Sequence, residues 1–160
     1  MVYYFSYSNK TKAYAEALAK IKNAQAAGIN SKLNKKNFFV MMRGCFLAIR
    51  KKEMPVDEIP ALEASGEIFV CSPIWAGNIV PPARYFLNRA ELNGRRVNLL
   101  LTCESIHQSV KYKKAAADVL SGIDCVPGTV EVFCTSETIP EPEVLDEQLR
   151  AVYEGEPESA

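Results

Sequence analysis

Val2-Tyr3-Tyr4-Phe5-Ser6-Tyr7-Ser8-Asn9-Lys10-Thr11 passes from an apolar run through a hydroxyl-rich turn into a segment with helical spacing. Tyr14, Ala17, Leu18 and Ile21 recur at i, i+3, i+4 and i+7, which predicts a helix over Lys12–Asn23 with one face on a sheet. A strand, a turn and a helix N-terminus in succession form an anion site. The first helical N–H groups have no intrahelical partner, and the macrodipole leaves partial positive charge at that end. The same hydroxyls also suit a plain N-cap, and the stretch by itself leaves both uses open.

The apolar runs Val2–Phe5, Phe38–Met42, Glu67–Cys71, Val97–Thr102 and Thr129–Cys134 predict five strands. Continuous runs such as Ile68-Phe69-Val70-Cys71 and Leu99-Leu100-Leu101 suit parallel strands covered on both faces. The alternating, charged Thr129-Val130-Glu131-Val132 suits an edge strand. Between them lie helical segments at Lys12–Asn23, Gly44–Lys52, Pro81–Ala90, Tyr112–Leu120 and Glu141–Tyr153, while 28–36 reads as a polar loop. This β-α alternation predicts an α/β three-layer sandwich in one domain spanning 1–154, with 155–160 as a flexible tail. In open parallel sheets ligands bind beyond the carboxyl ends of the strands. That rule selects the loops 6–11, 72–78 and 103–107.

The middle loop, Ser72-Pro73-Ile74-Trp75-Ala76-Gly77-Asn78, holds the sole tryptophan of the chain. Its indole offers a flat apolar face to an aromatic ligand, and Gly77-Asn78 supplies a turn with exposed backbone groups. A tryptophan that merely closes the core is the equal alternative. Together with Ser6–Thr11, Pro81-Pro82 and Phe86-Leu87, the stretch Phe69–Asn78 resembles the flavodoxin family, of the short-chain kind. Gly44-Cys45-Phe46-Leu47-Ala48 with Lys51-Lys52 is similar to the short helix after strand two in such proteins.

The resemblance implies a five-stranded parallel sheet in the order 2-1-3-4-5 and FMN as cofactor. It implies that Ser6, Ser8 and Thr11 donate to the phosphate from a loop that includes Tyr7, Asn9 and Lys10. It implies that Pro73, Ile74, Trp75, Ala76, Gly77 and Asn78 flank the flavin ring. Asn9 and Lys10 stand where the family has glycine and asparagine. The third loop, Thr102-Cys103-Glu104-Ser105-Ile106-His107, lacks the family's glycines, so backbone can approach a planar ring less closely there. At this loop Cys103, Glu104 and Ser105 would meet the flavin; Glu104 could accept from its N3–H, and Cys103 could touch the ring or stay an inert thiol. His107, the single histidine, is either a proton donor or a surface residue.

The function this implies is electron transfer between redox partner proteins, ahead of the alternatives. Those are an FMN-dependent oxidoreductase acting on NAD(P)H or quinone, and a flavodoxin-like module that no longer binds flavin. Composition bounds the rest. The 160 residues are 48% hydrophobic and carry zero net charge. Residues 1–52 contain eleven Lys/Arg and one acid, and the remainder eight Lys/Arg and eighteen acids, so the surface is either polarised or intermixed on folding. That balance argues against a nucleic-acid binder. Five cysteines with no C-x-x-C pair suggest reduced thiols rather than disulfides or a metal site. No run reaches membrane-span length, and the sequence reading expects a cytoplasmic protein with no membrane partner.

Overall fold

Tyr3, Val70, Leu99 and Leu101 turn one way from their strands while Val2, Phe69, Cys71 and Leu100 turn the other, which gives the molecule two apolar cores. A computed structural model describes residues 1–62, 66–135 and 138–154, so the predicted tail at 155–160 lies outside the described residues. The strands are β1 (Val2–Tyr4), β2 (Ala26–Gly28), β3 (Ile68–Trp75), β4 (Asn78–Ile79), β5 (Arg96–Cys103) and β6 (Val126–Cys134). The helices are α1 (Lys10–Ile21), α2 (Phe38–Ile49), α3 (Pro81–Arg89), α4 (Ser109–Ser121) and α5 (Pro142–Tyr153), with short 3-10 turns at Lys32–Asn34 and Ile106–Gln108.

The parallel strands run in the order β2-β1-β3-β5-β6, and β4 adds an antiparallel pair to β3. Counting parallel strands alone, this is the predicted 2-1-3-4-5 winding. Tyr14, Leu18, Leu145 and Leu149 from α1 and α5 cover one face; Ala83, Phe86, Leu87, Ala116 and Leu120 from α3 and α4 cover the other. β6 is the predicted edge strand, and its Glu131 pairs with Lys113 of α4 at 2.7 Å.

The second strand is misplaced in the sequence reading. Phe38–Met42 is helical, forming the first turns of α2, and Asn37 starts it by accepting from the Phe39 N–H at 2.9 Å. The strand is instead Ala26–Gly28, in register with Val2–Tyr4, and it extends into the segment read as a polar loop. A short apolar run does not by itself distinguish helix from strand. Three small residues carry no strand pattern, yet they pair here because β1 offers free backbone groups at its edge.

The third strand also runs further than expected. β3 continues through Pro73-Ile74-Trp75 and turns back at Ala76-Gly77 into β4, pairing Trp75 with Asn78. Both turn residues have positive φ, 49° and 80°, the signature of a two-residue hairpin turn that matches the twist of the strands. The turn is therefore Ala76-Gly77, not Gly77-Asn78; Asn78 begins β4 and its side-chain amide donates back to the Ala76 carbonyl at 3.2 Å.

Candidate functional site

Where β1 ends, the chain must reverse into α1, and Asn9 makes the reversal in the left-handed region, with φ 65°. Asparagine tolerates that conformation better than most residues, so the turn forms here without glycine. Its side chain makes no cap bond; Ser6 does that work, its Oγ accepting from the Lys12 N–H at 3.3 Å. The N–H groups of Lys10 and Thr11, at the first two helical positions, meet no acceptor among the described residues. Asn34 anchors the loop from outside, donating to the Ser6 carbonyl at 3.2 Å while its Oδ1 accepts from the Ser31 N–H.

Thr11 also ties two elements of the fold together. Its hydroxyl is buried and shares a 2.8 Å hydrogen bond with the Thr102 hydroxyl, tying the start of α1 to the end of β5. That bond forms part of the floor of a cleft of about 400 Å³ at the carboxyl ends of the strands. Ser8, Lys10 and Thr11 line it from the first loop; Pro73, Ile74, Trp75, Ala76 and Gly77 from the hairpin; Cys103, Glu104 and Ser105 from the third loop. Ser6, Tyr7, Asn9 and Asn78 stand behind these and do not line it. Four further lining residues, Cys45, Thr102, Tyr112 and Thr135, are not among those the sequence assigns to a cofactor. The exposed His107 is outside the lining.

Trp75 both packs and lines. Its ring meets the rings of Phe5 and Tyr7 edge-on, at centroid distances of 6.2 and 5.5 Å, while its other contacts include Gly44 of α2. A Cβ at Gly44 would lie 2.7 Å from Trp75 Cζ3, so the helix approaches the indole only because no side chain intervenes.

In the third loop the carbonyls face protein donors. The Thr135 N–H and hydroxyl donate to the Cys103 carbonyl at 2.7 and 3.2 Å, and the Cys134 thiol donates to that of Glu104 at 3.3 Å. The Cys103 thiol donates to the Ser105 carbonyl at 3.2 Å. This leaves N–H groups, the exposed Glu104 carboxylate and the Ser105 hydroxyl as the polar atoms this loop can offer. Burial and the nearby Cys134 push the Cys103 thiol pKa up, and burial does the same for Cys71. Both stay protonated at neutral pH. On brief treatment with N-ethylmaleimide at pH 7, Cys134, which is exposed, is expected to be alkylated before Cys71 and Cys103, as peptide mass spectrometry would show. Equal labelling of all three would contradict the burial.

A larger cleft, about 820 Å³, runs between α1 and α5 and is bordered by Glu16, Glu143, Asp146 and Glu147. It includes no residue of the three strand-end loops. The smaller cleft joins an anion-receptive helix end, a basic Lys10 and an aromatic wall in one space.

A parallel sheet wound in this order, with a cleft of that kind at its carboxyl edge, defines the flavodoxin-like fold. Solved structures agree: the chain is similar to a protein of Bacteroides eggerthii DSM 20697 assigned to the flavoproteins (15% identity, TM-score 0.64, 94% of this chain and 95% of that one). It is similar to one from Bacteroides uniformis ATCC 8492 with the same assignment (17%, 0.66, 94% and 96%). It is also similar to a flavoprotein of Lactobacillus acidophilus NCFM solved in complex with FMN (18%, 0.62, 81% and 90%). No protein-family model matches the sequence, and no curated protein does. No helix among the described residues is long and apolar enough to cross a membrane.

Proposed function

We propose that this protein binds FMN in the strand-end cleft and carries electrons between redox partner proteins of the cytoplasm. The observation that carries the reading is the convergence of three chain segments, far apart in sequence, on one cleft with a cationic end and an aromatic wall. The residues present fit the group. Lys10, the N–H groups of Lys10 and Thr11, and the Ser8 hydroxyl would hold the phosphate, with Ser6 and Asn9 shaping the turn. Trp75 and the Ala76-Gly77 turn would bound the ring on one side, and the loop 103–105 would meet its polar edge.

FMN, when bound, supplies the electron chemistry. The chain's part is to orient the ring against Trp75, to limit water with the hairpin and Tyr112, and to place Glu104 where its charge opposes a negative one nearby. Free thiols on five cysteines suit a reducing compartment.

Titration of the protein into FMN is expected to quench flavin fluorescence, and riboflavin should bind more weakly. Lys10→Glu should weaken FMN binding by roughly ten- to a hundredfold, the range of a charge-assisted hydrogen bond, and leave riboflavin binding nearly unchanged. No quenching at high micromolar FMN would overturn the proposal and favour a module without flavin. An equal loss for both ligands would remove Lys10 from the phosphate end.

A further inference from the structure

We propose that α2 is a docking helix for an anionic lipid surface, a role that does not depend on the flavin reading. Phe38, Phe39, Met42, Phe46 and Ile49 are 64%, 80%, 52%, 52% and 62% exposed, although all five are large apolar side chains on a single twelve-residue helix. The opposite face buries Gly44 and Ala48. Five exposed large apolar side chains gathered on one helix mark a contact surface.

Its borders are basic. Lys35 and Lys36 precede the helix, Arg43 lies within it, and Arg50, Lys51 and Lys52 follow; all six are exposed, and none pairs with a carboxylate among the described residues. Between Ala17 and Lys52 the chain contains no Asp or Glu. The Arg50 guanidinium stacks 4.3 Å from the Phe46 ring centroid, so charge and apolar surface share one face. Apolar side chains flanked by long cations are what a helix lying in a headgroup layer requires: the rings enter the acyl boundary and the cations reach back to lipid phosphates.

Two other occupants fit less well. A protein partner could hydrogen-bond this face only through Arg43, the Cys45 thiol and the five cations around the helix, and would need a dense set of acids to meet them. A second copy joined through the same face would bring six cations onto their own duplicates. A lipid interface demands no fixed bond geometry and supplies the opposite charge. The expectation of no membrane partner rests on the lack of a span-length apolar run, a criterion that does not bear on a helix lying in the interface.

The test is sedimentation of the full chain with vesicles of phosphatidylcholine alone or mixed with phosphatidylglycerol, with and without added FMN. Binding is expected only to the mixed vesicles, in both flavin conditions, and should be lost at high salt. Lys35→Gln/Lys36→Gln should lower partitioning by roughly 25-fold, about fivefold per cation. Phe38→Ser/Phe39→Ser should abolish binding with the circular dichroism spectrum and melting temperature preserved, since both rings already face solvent. Three results would each overturn the proposal: no binding to mixed vesicles, equal binding to neutral ones, or full binding by the Phe38→Ser/Phe39→Ser variant. A concentration-dependent dimer that this variant dissolves, without vesicle binding, would assign the face to a second copy.

Discussion

Gly44→Leu is expected to lower the melting temperature by several degrees and to weaken FMN binding at least about tenfold, the larger effect being on binding. Glycine inside a helix is a local disadvantage, and a better helix former there would gain about 1 kcal/mol if nothing stood in its way. Here something does. A Cβ would lie 2.7 Å from Trp75 Cζ3 and 2.8 Å from Leu33 Cδ2. Leucine extends further along the same line, and overpacking costs about 1–3 kcal/mol. Trp75 has little room to yield, because Phe5 and Tyr7 hold its ring edge-on from the strand side. The displacement would fall on the hairpin that lines the cleft. Thermal unfolding and FMN titration of the same preparation would measure both effects. An unchanged melting temperature with unchanged affinity would mean that α2 does not set the position of the indole.

Asn98→Leu should destabilise the fold by about 3 kcal/mol, read as a lower urea midpoint at unchanged slope. Asn98 lies in β5 with its side chain buried, among residues that otherwise read as a plain apolar strand. Its Nδ2 donates to Glu67 Oε1 at 2.8 Å, and its Oδ1 accepts from the Thr129 N–H at 2.8 Å. The acceptor matters because the ladder between β5 and β6 is irregular at this point, with a register shift between Val97 and Leu99. The amide thus completes a pairing that the backbone cannot. Leucine fills the space but leaves a donor without its partner and a carboxylate without its hydrogen bond. A variant as stable as the parent would show that water or a backbone adjustment replaces the amide at no cost.

Elements with a strong period or a long apolar run were legible in the sequence. Tyr14 and Leu18 marked α1, Leu145 and Leu149 marked α5, and Leu99-Leu100-Leu101 marked a doubly covered strand; all are buried as their spacing requires. The second strand was hidden because its identity is tertiary: Ala26-Ala27-Gly28 has no pattern of its own and is a strand only beside Val2–Tyr4. Phe38–Met42 misled for the converse reason, since its apolar content marks a surface rather than an interior.

The site divides in the same way. The loops 6–11 and 72–78 announced themselves locally, through hydroxyls before a helix and an indole beside a turn. Cys45 and Tyr112 reach the cleft from helices whose sequence suggested only packing, and Thr135 arrives from beyond the last strand. Thr11 and Thr102, ninety-one residues apart, could not be paired without the sheet order that sets them side by side.

The packing of the single indole also gives the molecule a built-in optical gauge. Every photon of tryptophan emission originates at Trp75, against α2 and at the wall of the cleft, with no second emitter to dilute it. A ligand entering that space, or α2 shifting on its seat, changes the intensity and colour of the whole signal, whereas events at the distant end of the sheet leave it untouched. Time-resolved emission can therefore separate a local rearrangement from global unfolding in the unlabelled protein.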